Sequence, residues 1–279
     1  MNILFFGDVV GRSGRDILLQ QLPKLKTQLD LDFVIVNGEN AAHGFGINKG
    51  ICQDFFKVGV DVVTTGNHIW DQRDVMSYIG SEPRLLRPAN YPEGAPGRGY
   101  GIYQDRRGRK LLVINALGRL FMETLDDPFA AVDRILKSYP LRGAVQAAVV
   151  DFHAEATSEK MAMGHFCDGR VSFVVGTHSH VPTADAQILP QGTAYQTDAG
   201  MCGDYNSVIG MDKAVPLHKF TRKTPTERMS PALGDGTLCG VFVQTDDDTG
   251  LAVHIEPIRI GARLINTIPV LEGQQKPAV

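Results

Sequence analysis

His178-Ser179-His180 follows the apolar run Phe173-Val174-Val175 through Gly176-Thr177. Alternate residues of an extended segment point the same way, so both imidazoles can face one site. Four other apolar runs end in comparable chemistry. Phe5-Phe6 leads into Gly7-Asp8, and Val34-Ile35-Val36 into Asn37-Gly38-Glu39-Asn40. Val62-Val63-Thr64-Thr65 leads into Gly66-Asn67-His68, and Val149-Val150-Asp151-Phe152 into His153-Ala154-Glu155. Imidazole, carboxylate and amide oxygen suit Mn, Fe or Zn, whereas soft sites use thiolate. Two such ions, bridged by a carboxylate and about 3.5–4 Å apart, clamp a phosphoryl group and generate a hydroxide nucleophile near neutral pH. Singly, each residue has a plainer reading: Asp8 as a helix cap, Asn67 as a turn residue. The recurrence at five strand ends is what points to a metal centre. Cys52, Cys167, Cys202 and Cys239 show no CxxC spacing, which argues for a reduced protein without a disulfide framework. Cys202 lies in Gly200-Met201-Cys202-Gly203 with no basic neighbour, so no catalytic thiolate is expected there.

The elements that must carry these residues alternate in type. Short β-branched or aromatic runs at Ile3–Phe6, Phe33–Val36, Val62–Thr65, Leu111–Asn115, Ala148–Phe152 and Val171–Val175 are apolar in succession, as in strands covered on both faces. Amphipathic stretches near 14–29, 49–58, 71–79, 128–138 and 157–165 separate them and predict helices. The pattern predicts an α/β fold with a largely parallel or mixed sheet, whose strand C-terminal ends line the ligand crevice. Pro23 predicts a kink or break in the first helix. Residues 87–110 read as a Pro- and Gly-rich surface excursion ending in a hairpin at Arg107-Gly108, and residues 200–235 as a second irregular stretch. Asp246-Asp247-Asp248-Thr249-Gly250, between Thr237–Thr245 and Leu251–Ile260, predicts a hairpin. One domain over residues 1–270 is expected, with residues 271–279 a flexible tail.

Composition narrows the function. Hydrophobic residues make up 43% of the 279 and charged residues 21%, which is ordinary for a globular chain. The net charge of −3 supplies no duplex-binding surface and disfavours a nonspecific nuclease. The basic cluster Arg106-Arg107-Gly108-Arg109-Lys110 reads as a solvated turn. Met1–Phe6 reads as a strand rather than a signal peptide, and no run reaches the length of a transmembrane helix. A cytoplasmic protein with no membrane partner is expected. The sequence leaves oligomeric state open, a homo-oligomer being admitted on frequency alone.

The order Gly7-Asp8, Gly66-Asn67-His68, His153, Gly176-Thr177-His178-Ser179-His180 resembles the calcineurin-like metallophosphoesterase superfamily. More narrowly, three runs resemble the bacterial YmdB-type family: Asn37-Gly38-Glu39-Asn40-Ala41-Ala42, Asp151-Phe152-His153-Ala154-Glu155-Ala156-Thr157-Ser158-Glu159-Lys160, and Gly176 to Asp185. The resemblance spans Asp8 to about Arg259. It departs from the broad superfamily at Val10, where a histidine is usual, and at Glu39, where an aspartate is usual. Both departures suit the YmdB type, in which Asn40 fills the first vacancy.

The resemblance implies a four-layer α-β-β-α sandwich with mixed central sheets and two divalent ions, Fe or Mn foremost and Zn admissible. Asp8, Glu39, Asn40 and His180 would hold one ion. Glu39, Asn67, His153 and His178 would hold the other, with Glu39 bridging. His68 would be the general acid, since an unperturbed imidazole of pKa about 6.5 suits that task. The implied activity is hydrolysis of 2′,3′-cyclic nucleotides to 3′-nucleotides. His43-Gly44-Phe45-Gly46 reads as a lip over the site, with His43 and Phe45 as candidate substrate contacts. Asp151 and Glu155 flank His153 and are expected to orient it; Glu155 could instead cap the helix near Thr157. Thr177 and Asp198 lie near the site without an assigned role, and His165, His218 and His254 read as structural or surface residues. The partner is a small phosphodiester, with no stable nucleic-acid complex. Three alternatives stay open: a phosphomonoesterase or nuclease on the same metals, a regulatory nucleotide- or metal-binding protein with little turnover, and a dinuclear amide hydrolase.

Overall fold

The computed structural model describes residues 1–271; the expected flexible tail lies, apart from Leu271, outside them. In chain order come β1 (Asn2–Phe6), β2 (Asp8–Val9), α1 (Gly11–Gln28), β3 (Phe33–Asn37), α2 (Lys49–Lys57), β4 (Val62–Thr64) and α3 (Val75–Tyr78). Then come β5 (Tyr100–Gln104), β6 (Lys110–Leu117), α4 (Pro128–Ser138), β7 (Ala147–His153), α5 (Thr157–Cys167) and β8 (Phe173–Thr177). The chain closes with β9 (Gln187–Ile188), β10 (Ala194–Gln196), β11 (Met201–Cys202), α6 (Ala214–Arg222), β12 (Thr237–Thr245) and β13 (Ala252–Gly261).

Two mixed sheets result. One has the order β13-β12-β1-β3-β4, the other β5-β6-β7-β8-β10-β9, and a small pair β11-β2 stands apart. In the first sheet β1, β3 and β4 run parallel, with β12 antiparallel to β1. In the second, β6, β7, β8 and β10 are parallel. Strand residues alternate between two cores, as the pleat requires. Leu4, Phe6, Val34 and Val36 pack with Leu18, Leu22 and Leu25 of α1 and Phe55 of α2. Ile3, Phe5, Phe33 and Ile35 face the other way, against Val113, Val149, Phe173 and Val175 of the second sheet. The far side of that sheet, with Ile114, Val150 and Val174, packs on Val132, Ile135 and Leu136 of α4 and Met163 of α5. The layers are therefore α-β-β-α, as expected.

Some local expectations are corrected. Pro23 does not break α1, which runs unbroken from Gly11 to Gln28. The buried stripe of Leu18, Leu22 and Leu25 outweighs one lost backbone donor. The helix expected over 71–79 shrinks to Val75–Tyr78. The residues before it form turns, in which Asp71 accepts from His68 Nδ1 and Gln72 donates to the Phe45 carbonyl. The irregular stretch 200–235 contains β11 and α6. The hairpins at 105–109 and 246–250 stand as β5–β6 and β12–β13. Among the described residues, no helix is long and apolar enough to cross a membrane.

Candidate metal centre

The inter-sheet layer is apolar along most of its length and turns polar at the C-terminal ends of the strands. On β7, Ala147 and Val149 face the inner layer, so the pleat places Asp151 and His153 there as well. By the same alternation Asn37 follows Ile35 on β3, Thr64 follows Val62 on β4, and Thr177 follows Val175 on β8. β2 adds Asp8, and the loops leaving β3, β4 and β8 add Glu39, Asn40, Asn67, His68, His178 and His180. Both sheets contribute, so the site straddles the sandwich.

All seven side chains expected to bind metal meet here. His153 Nε2 lies 3.1 Å from Glu39 Oε1 and 3.1 Å from Asn67 Oδ1. His178 Nδ1 lies 3.1 Å from His153 Nε2. Glu39, His153 and His178 each place a ligand atom within 4.8 Å of the others. On the other flank, His180 Nε2 is 3.2 Å from Asn40 Oδ1 and 3.8 Å from Asp8 Oδ1. Asp8, Glu39, Asn40, His153 and His180 are buried.

The rings are held from behind. His153 Nδ1 is 2.9 Å from Thr177 Oγ1, which donates to Asp151 Oδ1 at 2.7 Å. Asp151 Oδ2 accepts from Asn37 Nδ2 at 2.9 Å and from Thr64 Oγ1 at 2.5 Å. Asp151 thus reaches His153 through Thr177 rather than directly. Glu155 does not orient His153: its Oε2 lies 3.2 Å from His178 Nε2. Nor does it cap α5, whose N-cap is Ala156 without a side-chain bond. His180 Nδ1 is 2.7 Å from the Ile209 carbonyl, which fixes that nitrogen as the donor and leaves Nε2 free for the site.

Electrostatics support a cation. Burial would raise Glu39, but the charge and hydrogen bond of His153, with His68 and His178, pull it down to about 2. Burial would lower His153, yet Glu39 and then Asp8 and Asp151 push it up to about 9. His178 is pushed down to about 3 by burial and by the neighbouring His153 charge. Burial raises Asp8 despite His180 and His153, and raises Asp151 to about 6 despite His153 and two hydroxyl donors. Asp8 Oδ1 is buried without a hydrogen-bond partner, which is costly for a carboxylate oxygen unless a cation meets it. Nitrogen and oxygen donors around such an oxygen fit a borderline divalent ion.

The centre forms one side of a cleft of about 580 Å³, within the range of small-ligand sites. His68 and Phe45 line it; His43 is exposed and does not. His68 Nδ1 sits 3.0 Å from Asp71 Oδ2, and its backbone N–H donates to Glu39 Oε2 at 3.2 Å. The Phe45 ring packs edge-on to it at 5.1 Å. The opposite wall was not foreseen. Ile209, Met211, Pro216, Phe220 and Met229 make it apolar, with Lys219 beside them. Its only sequence signal is length: a 36-residue span from Gly200 to Asp235 with little regular structure is more often functional than a connection. Cys202 is buried, with its thiol pushed well up by burial and then by Cys239, so it is inert.

With this geometry in hand, the whole chain can be placed. It matches the YmdB-like protein family over residues 4–258. It belongs to that family. The 2′,3′-cyclic-nucleotide 2′-phosphodiesterase of Bacillus subtilis is 48% identical over 260 residues, covering 93% of this chain and 97% of that protein. A solved structure from Thermus thermophilus superposes with a TM-score of 0.87 at 41% identity, covering 94% of this chain and 100% of the other. A Mycoplasma pneumoniae structure described as a novel phosphatase gives a TM-score of 0.87 at 33% identity, covering 94% and 93%. As a YmdB-like protein the chain is an enzyme of the hydrolase class.

Proposed function

We propose that the protein is a metal-dependent phosphodiesterase of small substrates that opens 2′,3′-cyclic nucleotides to 3′-nucleotides. The observation that carries this is the buried Asp8 Oδ1, which has no hydrogen-bond partner, inside a nitrogen and oxygen donor cluster beside a ligand-sized cleft. Asp8, Glu39, Asn40 and His180 would hold one divalent ion, and Glu39, Asn67, His153 and His178 a second. Two N/O-ligated ions favour Fe or Mn, and Zn is admissible. When bound, such a pair supplies Lewis acidity toward a phosphoryl group and a nucleophile usable near neutral pH.

The chain's own residues do the rest. Asp71 holds His68 Nδ1, so Nε2 can deliver a proton to the leaving oxygen. Phe45 packs against that ring and keeps it from turning away. The apolar wall suits a nucleobase face, since stacking tolerates any base. The cyclic-nucleotide assignment draws on the activity named for the Bacillus subtilis relative.

A phosphomonoesterase is the second reading, favoured by Lys219 at the cleft wall and by the Mycoplasma structure's description as a phosphatase. The test is an assay of Mn²⁺-loaded protein on 2′,3′-cyclic AMP, an aryl phosphodiester and an aryl phosphomonoester. Conversion of the cyclic nucleotide to 3′-AMP supports the proposal. Cleavage of the aryl diester alone discards the substrate and keeps the chemistry, and cleavage of the monoester alone selects the second reading. No turnover with both ions bound replaces the enzyme with a binding protein.

A further inference from the structure

Lys160 lies inside α5 with its side chain 1% exposed, although lysine is almost never fully buried without a partner. Its Nζ donates to Asp198 Oδ2 at 2.7 Å, and Asp198 is itself fully buried. The same Oδ2 accepts from Ser179 N–H at 3.1 Å and from Ser179 Oγ at 2.7 Å, while Oδ1 accepts from Gly200 N–H at 2.8 Å. The lysine stem runs along the strand that leads into Ser179: a Cβ on Gly176 would stand 2.9 Å from Lys160 Cδ.

Ser179 separates His178 from His180. Those two residues have φ of 97° and 64°, a left-handed region that side chains other than glycine rarely occupy. Such conformations persist only where the surroundings over-determine them. Here successive amides are pinned, His178 N–H by Asp8 Oδ2 at 3.1 Å and Ser179 N–H by Asp198. A purely stabilising core contact would not need charge, because apolar replacements of buried ion pairs are commonly neutral or better. What an apolar pair cannot do is accept two hydrogen bonds from one serine.

We infer that Lys160 and Asp198 are positioning residues for the metal centre: the ion pair clamps Ser179 and so holds the left-handed turn that aims both imidazoles inward. Lys160 supplies the counter-charge that lets Asp198 stay an acceptor in a dry environment. Without it a buried charge is left unpaired, which is costly in a dry environment, and the carboxylate's hold on Ser179 loosens. The inference rests on the proposal that His178 and His180 are metal ligands.

Titration calorimetry with Mn²⁺, at a temperature where thermal unfolding shows each metal-free variant to be folded, tests it. Lys160→Met is expected to weaken Mn²⁺ binding about 10–100-fold, the usual effect of losing a ligand's supporting contact. Ser179→Ala should weaken it in the same direction by less. Adding Asp198→Asn to Lys160→Met removes both charges, leaves an acceptor for Ser179, and should restore part of the affinity. Unchanged Mn²⁺ affinity in Lys160→Met, with only a lower melting temperature, would overturn the inference. If Lys160→Met does not fold, Ser179→Ala decides: unchanged affinity there refutes the clamp. His178→Ala examines the underlying ligand assignment separately, since full Mn²⁺ binding by that variant removes the assignment whatever Lys160→Met does.

Discussion

Gly66→Ala isolates the geometry of the centre from its chemistry, because no proposed ligand is replaced. A Cβ at Gly66 would fall closer than 3.0 Å to Glu39 Oε2 and to Cδ2 and Nε2 of the His153 ring. Gly66 is not in the left-handed region, so the penalty is steric rather than conformational. Relief requires the carboxylate or the ring to move by about 1 Å, and a misplacement of that size costs on the order of 10²-fold in rate. That corresponds to about 2.7 kcal/mol of barrier. The cost to folding is of the size usual for overpacking, about 1–3 kcal/mol. The assay is kcat/KM on an aryl phosphodiester at saturating Mn²⁺, with metal content measured on the same sample. Gly80→Ala is the control, since a Cβ there meets nothing within 4 Å, and it should stay within about twofold of wild type. A Gly66→Ala enzyme with wild-type rate and metal content would show that Glu39 and His153 are not where the reaction happens.

Three further outcomes are expected. His68→Ala should keep both ions and lower turnover about 10²–10⁴-fold; loss of metal in that variant would make His68 a ligand instead. Glu39→Gln should weaken both ions together, and metal analysis finding one ion lost with the other fully retained would contradict bridging. Metal binding should also release protons. His153 stands at about 9 in the metal-free protein, above the ordinary 6.5, so it is protonated at about pH 7.5 and must become neutral to coordinate. His178, at about 3, is already neutral and contributes none. Calorimetry in two buffers of different ionisation enthalpy should report net proton release near pH 7.5, shrinking above about pH 9 as His153 loses its proton without metal. Buffer-independent heats at pH 7.5 would place His153 outside the metal shell.

The sequence by itself determined where chemistry sits along the chain. Runs apolar in succession mark strands covered on both faces, and β12 and β13 follow from the Asp246–Gly250 turn. The polar residues just past Phe6, Val36, Thr65, Phe152 and Val175 are legible because strand ends are local features. Tertiary structure decided how those ends meet. Nothing local in β1 or β8 says that one faces the other across Phe5 and Phe173, so the site's place between two sheets was invisible. Partners distant in sequence were equally hidden: Asp151 acts through Thr177, Glu155 turns to His178, and Lys160 meets Asp198. The continuity of α1 through Pro23 is of the same kind, since packing of Leu18, Leu22 and Leu25 overrides a local penalty. The wall from Val208 to Met229 was hidden for a further reason. A segment with little periodicity carries no pattern, and only its docking over His180 and Phe45 makes it part of the cleft.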